Sequence, residues 1–213
     1  MGAETITFEG TDPADAALTT INIFGGDDPA TDTDGDTIHV ETLNPGVALN
    51  IDGGEGADFI SLGTIGMSLD AILGSVNVDG GNQPVGALAA VSDTIKGVAI
   101  NVDYESGDLL AVNDQNSALG GAYTVGANSI TPPIGGTINY SNLEALRLNT
   151  SSTATSDVGV TSPSVERTEI STGDVADMVT IHSTVADSVV DVTTSTGEDM
   201  VNVTATGDGS AWC

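Results

Sequence analysis

The densest group of carboxylates in the sequence lies between residues 27 and 36. Its five acidic side chains are Asp27, Asp28, Asp32, Asp34 and Asp36. Bare carboxylates at this density repel one another, and Ca²⁺ prefers such oxygen ligands. The segment does not fit an EF-hand loop, because the first ligand position would be Ala30, which has no side-chain oxygen. We therefore predict a calcium site of another kind here, with a solvated, flexible loop as the alternative.

A glycine-rich turn at residues 53–61 is the second candidate metal site. It reads Gly-Gly-Glu-Gly-Ala-Asp-Phe-Ile-Ser and matches the calcium-binding nonapeptide Gly-Gly-x-Gly-x-Asp-x-apolar-x at every fixed position. The match resembles the repeats-in-toxin, or haemolysin-type, β-roll family. The resemblance implies that Asp58 binds Ca²⁺ together with turn carbonyls around Gly53 and Glu55. Only this copy is intact, so the alternative is that the Gly and Asp residues simply form tight turns.

A short phrase that recurs along the chain predicts the strands that position these residues. It reads apolar-Asn-apolar, and its copies begin 28, 27 and 24 residues apart. The copies are Ile21–Gly26, Leu49–Gly54, Val76–Gly81 and the partial Ile100–Asp103. Because side chains alternate along a strand, the Asn residues are predicted to form one outward-facing row: Asn22, Asn50, Asn77 and Asn101. The same register places Asp52 and Asp79 about 4.8 Å apart, where a cation between them or a raised pKa would relieve their repulsion.

A second phrase, an Asp followed by alternating apolar residues, supports the same repeat. Its copies start at Asp36, Asp58, Asp177 and Asp199, and the members of each pair are 22 residues apart. This length suits two short strands with tight turns. We therefore predict an all-β fold, a parallel β-solenoid of β-helix or β-roll type with short strands and Gly/Asp turns. A β-sandwich is the alternative, because short strands with Gly turns describe it as well.

The domain organisation is predicted from the positions of the recurring Asn and Asp phrases along the chain. Residues 1–149 are predicted to be β-solenoid repeats with an insertion at 82–97. Residues 150–208 either continue the solenoid or form a second small β-domain. Residues 209–213 resemble the remnant of an affinity tag, and without them the chain contains no Cys.

The charge balance limits the partners of the chain. Lys and Arg number 3 and Asp and Glu number 31, which gives a formal charge of −28. Nucleic acid is excluded because its phosphates need a basic surface, and no stretch is apolar enough for direct membrane insertion. The predicted partners are calcium ions, neighbouring copies or adjacent domains of the same large protein, and extracellular polysaccharide. An acidic chain without structural Cys indicates a secreted or cell-surface bacterial protein.

The function predicted from these features is structural and not enzymatic. The segment Gly136–Asn149 resembles repeats of very large bacterial surface proteins, and the resemblance implies an adhesin, a surface-layer protein or a biofilm-matrix component. His39 and His182 lie within strand patterns and are predicted to be wall residues. The alternative is a carbohydrate-binding module or a polysaccharide-degrading enzyme on a β-helix scaffold.

Overall fold

The computed structural model describes residues 4–10, 18–26, 35–81, 91–95, 98–102, 107–186 and 188–204, and these form eighteen strands. The strands are β1 Thr5–Phe8, β2 Thr20–Phe24, β3 Thr37–Val40, β4 Ala48–Asp52, β5 Phe59–Leu62, β6 Ser75–Asp79, β7 Val91–Ile95, β8 Val98–Val102, β9 Leu109–Asn113, β10 Gly121–Val125, β11 Ser129–Thr131, β12 Ile138–Ser141, β13 Ala145–Asn149, β14 Ser156–Thr161, β15 Arg167–Ser171, β16 Met178–Ser183, β17 Val189–Thr193 and β18 Met200–Val203. The described residues contain no helix, and hence none that could cross a membrane.

Most successive strands alternate between two sheets. Sheet A has seven strands in the order β1-β3-β5-β9-β13-β15-β17, and sheet B has nine in the order β18-β16-β14-β10-β11-β12-β6-β4-β2. Every pair in sheet A is parallel, and in sheet B only the two pairs that include β11 are antiparallel. Strands on either side of residue 150 belong to the same two sheets. The prediction of an all-β, mainly parallel fold is therefore confirmed.

Equivalent residues of the repeated phrases lie opposite one another. Asn22 pairs with Asn50, and Asn50 pairs with Asn77. The paired strands β3 and β5 begin directly after Asp36 and Asp58 in sheet A, whereas β16 and β18 begin directly after Asp177 and Asp199 in sheet B. The Asp phrase therefore starts strands in both sheets. Its period of 22 residues corresponds to one strand in each sheet together with the two connections between them.

The fourth copy of the Asn phrase departs from the predicted row. Asn101 belongs to β8, where it pairs with Ser92 of β7 in an antiparallel hairpin outside both sheets. Its predicted place is taken by Asn139 of β12, which lies opposite Asn77. The prediction for Asn101 is wrong because the hairpin continues the insertion beyond residue 97 to Val102 before the chain returns to sheet A with β9.

The core between the sheets is built from rows of aliphatic side chains. In sheet A, Ile38, Ile60, Leu110 and Leu146 form one continuous buried row. Stacking like on like fills the space with few aromatic residues, which make up 3% of the chain. The middle of sheet A is buried on its outer face as well, where a second cluster contains Phe59, Leu109, Ala111 and Ala145.

Two of the three basic residues of the chain form an ionic row on the outer face of sheet A. The guanidinium of Arg147 donates to Glu169 at 2.7 Å. The guanidinium of Arg167 reaches Glu169 at 3.0 Å and Asp191 at 2.6 Å. The row links β13, β15 and β17 and places a cation beside each acid, which limits like-charge repulsion in a chain of net charge −28.

Candidate functional site

The predicted metal ligands that the structure describes lie around one edge of the molecule. At this edge the ends of β2, β4 and β6 in sheet B lead towards the starts of β3, β5 and β9 in sheet A. Glycine residues follow the sheet B strands, and acidic residues precede the sheet A strands. We call this the glycine–acid edge, and its chemistry follows from how these two residue types stack.

Two columns of glycine form the inner part of the edge. Gly25, Gly53 and Gly80 occupy the first column, and the N–H groups of Gly25 and Gly53 bond to the carbonyls of Asp52 and Asp79 at 2.8 and 2.9 Å. A Cβ on Gly53 would meet the Asp58 carboxylate and the carbonyl of Gly80. This position therefore requires glycine because no space remains for a side chain.

The second glycine column combines a positive φ with close stacking. Gly26, Gly54 and Gly81 have φ values of +124°, +98° and +98°. A Cβ on Gly54 would collide with the carbonyl of Gly26, and a Cβ on Gly81 with the carbonyl of Gly54. Gly26, at the end of the column, has no such neighbour. The Gly-Gly dipeptide is thus explained by the turn geometry and the stacking together.

Acidic residues form a column at the starts of the sheet A strands. The residues that directly precede β1, β3, β5, β9, β13 and β15 are Glu4, Asp36, Asp58, Asp108, Glu144 and Glu166. Backbone N–H groups donate to the carboxylate of the next residue in the column, in four steps. These bonds are Glu4 to Asp36 at 2.8 Å, Asp36 to Asp58 at 2.7 Å, Asp58 to Asp108 at 2.7 Å and Asp108 to Glu144 at 2.6 Å. Each of these four carboxylates therefore caps the neighbouring strand, because it accepts the backbone N–H of the residue that directly precedes that strand.

The predicted metal ligands occupy different parts of this edge. Asp36 and Asp58 are buried in the acid column, and Glu55 is half-buried in the turn between β4 and β5. Asp52 and Asp79 end β4 and β6 and are paired in register, as predicted. The Asp79 carboxylate accepts hydrogen bonds from Asn142 at 2.7 Å and from the Gly81 N–H at 3.2 Å. The other four predicted ligands, Asp27, Asp28, Asp32 and Asp34, lie outside the described residues.

Asp108 and Glu144 are members of the acid column that the sequence prediction missed. Each directly precedes an apolar strand, as Asp36 and Asp58 do, so the residue pattern carried the signal. Their separations are 50 residues from Asp58 to Asp108 and 36 from Asp108 to Glu144. The insertion containing β7 and β8 and the three strands β10–β12 account for these longer intervals and obscure the period.

The outer face of sheet B beside this edge carries an amide row. Asn50 donates to Asn22, Asn77 to Asn50 and Asn139 to Asn77, each at 2.8 Å. The row confirms the prediction for three of its four members. An open groove of 290 Å³ runs along it and is also lined by Asp52, Asp79 and the exposed ring of Phe24. If the chain binds polysaccharide, as the alternative prediction has it, this groove is a candidate surface for the sugar.

His39 lies in the wall strand β3, as predicted, and its side chain is fully buried. Its Nδ1 lies 2.6 Å from the Ser61 hydroxyl, which in turn contacts the Thr64 hydroxyl. Its ring packs edge-on against Phe59, with the centroids 5.8 Å apart. His39 and Ser61 have no exposed surface, so the contact serves packing between β3 and β5. His182 is exposed on β16.

A buried acid outside the acid column, Asp114, connects two loops. Its Oδ2 accepts a hydrogen bond from the Tyr123 hydroxyl at 2.5 Å, and its Oδ1 accepts one from the Leu69 N–H at 2.8 Å. Burial raises the pKa of the Asp114 carboxyl. Burial, together with the hydrogen bond to Asp114, also raises the pKa of the Tyr123 hydroxyl. The pair therefore fixes the segment after β9 against the loop before β6.

The buried carboxyls of Asp114 and Glu144 are expected to contribute more to the stability of the fold as the pH falls from 7 towards 4. Burial raises the pKa of Asp114 and of Glu144 above their ordinary values of 3.8 and 4.5. Folding then takes up a proton between the ordinary and the raised pKa. The stabilising contribution is complete below the ordinary pKa and is lost as the pH rises through the raised one. Urea unfolding at a series of pH values measures this dependence.

The control for this pH dependence is an exposed acid. Asp114→Asn is expected to flatten the dependence, whereas Asp157→Asn, on the outer face of β14, is expected to leave it unchanged. If the stability of Asp114→Asn followed pH as steeply as that of the parent protein, the assignment to Asp114 would be wrong.

Metal binding at the glycine–acid edge stays a prediction. Among the residues that the structure describes, no three Asp, Glu, His or Cys side chains form a group that could hold a metal ion. Comparison of the chain with models of protein families, with curated proteins and with solved structures finds no match. The function must therefore be inferred from the stacking geometry and the chemistry of the edge.

Proposed function

We propose that the chain is a structural repeat module of a secreted or cell-surface bacterial protein, built as a β-solenoid and stabilised by calcium. The observation that carries the proposal is that like residues stack on like residues along both sheets. Glycine, acid and amide columns each repeat the same chemistry from strand to strand. Such repetition builds a stiff, extended body, whereas catalysis needs unlike groups that converge on one point.

The path of the chain supports the solenoid. From β1 to β6 and again from β13 to β18, each strand lies in the opposite sheet to its predecessor and pairs in parallel with the strand two places on. A chain that winds repeatedly around one core produces this order. The departures are the β7–β8 hairpin and two additional strands among β10–β12, because one sheet B strand between β9 and β13 would complete the winding.

Charge density supports calcium as the stabilising ion. Four stacked carboxylates of the acid column are joined by backbone hydrogen bonds, and the whole chain carries a formal charge of −28. Carboxylates stacked about 4.8 Å apart repel by roughly 3–4 kcal/mol at an effective dielectric constant near 20. Asp58 also lies directly against Gly53, the combination of acid and turn backbone that suits an oxygen-liganded cation.

Millimolar Ca²⁺ is expected to raise the melting temperature of the full chain, and a chelator is expected to lower it. One site at a hundredfold excess of ion over its dissociation constant adds about 2.7 kcal/mol to the free energy of unfolding. Circular dichroism melting curves with CaCl₂, with MgCl₂, with EGTA and with NaCl separate binding from screening. Screening responds to tenths of molar NaCl, whereas a site responds to millimolar Ca²⁺.

The matched variants for this test are Asp58→Asn and Asp157→Asn. Both remove one negative charge, but only Asp58 lies in the acid column. Loss of the calcium response in Asp58→Asn alone would support a site at the edge. If Ca²⁺ leaves the melting temperature of the parent protein unmoved while NaCl raises it, the acids are a salt-adapted surface and the calcium proposal fails.

A further inference from the structure

In the described residues, both sheets end in edge strands that pair on one side only. At one end β1 pairs only with β3 and β2 only with β4, and at the other β17 pairs only with β15 and β18 only with β16. An edge strand presents backbone N–H and C=O groups to any strand that can lie beside it. Each end of the strand order formed by the described residues therefore offers two such edges, one from each sheet.

The inward side chains of these edge strands are also incompletely covered. Val201 and Val203 lie opposite the buried Val179 and Ile181, yet they are 48% and 44% exposed. At the other end the inward Ile21 and Ile23 of β2 are only partly buried. These side chains continue the core rows of sheet B, and each end would bury them if another layer of strands were added.

We propose that the layer added at each end is a second copy of this chain, bound head to tail. In this contact β1 and β2 of one copy pair in parallel with β17 and β18 of the next copy. The inference rests on the structural role proposed above and adds the partner and the register of the contact. Because every pair in sheet A and all but the β11 pairs in sheet B are parallel, a copy added along the stacking direction presents its strands in the matching sense.

The side chains of the two ends match when the strands are aligned from their first residues. The nine resulting pairs are Thr5/Val189, Ile6/Val190, Thr7/Asp191, Phe8/Val192, Thr20/Met200, Ile21/Val201, Asn22/Asn202, Ile23/Val203 and Phe24/Thr204. The inward pairs are apolar on both sides, and no pair sets two charges of the same sign opposite each other. Asn22 meets Asn202, so the contact would add an amide pair to the row that begins at Asn22.

The acid column is compatible with the same contact. It begins with Glu4 before β1, and the corresponding position before β17 is Ser188. Head-to-tail stacking therefore sets the Glu4 carboxylate of one copy beside Ser188 of the other. This step contains one acid, whereas most steps of the acid column within the chain set two acids against each other. A symmetric contact that pairs β1 with β1 of another copy would run the two strands antiparallel and set Glu4 of one copy opposite Glu9 of the other, which is unfavourable.

A heterologous contact of this kind repeats without closing, so the expected product is a chain of copies and not a dimer. Sedimentation velocity of the full chain is expected to show a mean mass that rises with protein concentration. The mass should rise further with NaCl, because salt screens the repulsion between copies of charge −28. The substitution Val201→Glu is expected to abolish the rise. The control Leu119→Glu changes a side chain that is 55% exposed and lies in the connection between β9 and β10, so it should leave the rise intact.

Cysteine cross-linking tests the register directly in a Cys213→Ser background. Adjacent strands lie about 4.8 Å apart, within the range that a disulfide spans. Mixing Asn22→Cys with Asn202→Cys is expected to give a disulfide-linked pair under mild oxidation, while Asn202→Cys alone is expected to remain unlinked.

The outcomes separate this inference from the structural role on which it rests. A single monomeric mass at every concentration and salt level, or linkage of Asn202→Cys to itself in preference to Asn22→Cys, would overturn head-to-tail stacking. Neither result would affect the calcium and chelator melting curves, which test the proposed function on the individual chain. If Val201→Glu fails to fold, the cross-linking result decides.

Discussion

Replacing Gly54 by alanine is expected to lower the free energy of unfolding by roughly 2–5 kcal/mol, whereas the same change at Gly26 should cost only about 1–2 kcal/mol. Both residues have a positive φ, +98° and +124°, so both substitutions carry the cost of a side chain in the left-handed region. Only at Gly54 does the new Cβ also collide with a backbone carbonyl, that of Gly26 in the neighbouring turn.

The comparison isolates stacking from backbone strain. Each substitution also reduces the conformational freedom of the unfolded chain by the same amount, so that effect cancels between the two variants. Urea unfolding followed by circular dichroism measures the difference. Gly81→Ala should behave like Gly54→Ala, because its Cβ would meet the Gly54 carbonyl. Equal losses at Gly26 and Gly54 would show that the turns are not in close contact.

Some of this architecture could be predicted from local residue patterns. The alternation around Asn50 and Asn77 specifies which side chains face outward, and the near-constant spacing specifies which strands stack. Asp36 and Asp58 were identifiable because each is followed by alternating or continuous apolar residues that must enter the core. These features depend only on the neighbouring residues in the sequence. A parallel, in-register sheet then places the copies of each pattern side by side, so no long-range signal is needed to predict them.

The departures from the repeat depend on contacts that no local pattern contains. Ile100–Val102 has the same apolar-Asn-apolar pattern as the sheet B strands, but it pairs with β7 in a hairpin. The β11 strand reverses direction between β10 and β12, and its position depends on pairing with both of them. His39 and Ser61 are polar residues at outward positions, yet the outer face of sheet A is buried there. A strand pattern alone predicts solvent at such positions.

The sequence pattern of the acid column is compatible with two different roles for its carboxylates. A turn of glycine followed by Asp is the signature of an oxygen-lined cation site, and it is equally the signature of a carboxylate that caps a neighbouring strand. In the structure Asp58 does the second of these, because its Oδ1 accepts the Asp36 N–H. Both roles use the same residue types at the same spacing, so the sequence could locate the edge but not assign its chemistry.

Asp58→Ala is expected to lower the free energy of unfolding by about 1–3 kcal/mol, because it leaves the buried N–H of Asp36 without the carboxylate that now accepts it. Asp58→Asn should cost less than about 1 kcal/mol, because the amide oxygen can accept the same hydrogen bond. The amide also removes one negative charge from a column in which Asp58 stands between the acids Asp36 and Asp108. Urea unfolding in EGTA compares the variants without any contribution from calcium, and Asp157→Ala on the exposed face of β14 is the control.

Hydrogen exchange gives this prediction a site-specific readout. The Asp36 amide should exchange faster in Asp58→Ala and at nearly the parental rate in Asp58→Asn, because only alanine removes its acceptor. The amide of Asp58 itself, which donates to Asp108 at 2.7 Å, should stay protected in both variants. If Asn and Ala are equally destabilising in EGTA, the hydrogen bond from the Asp36 N–H is not what Asp58 contributes to stability, and its assignment as a cap is wrong.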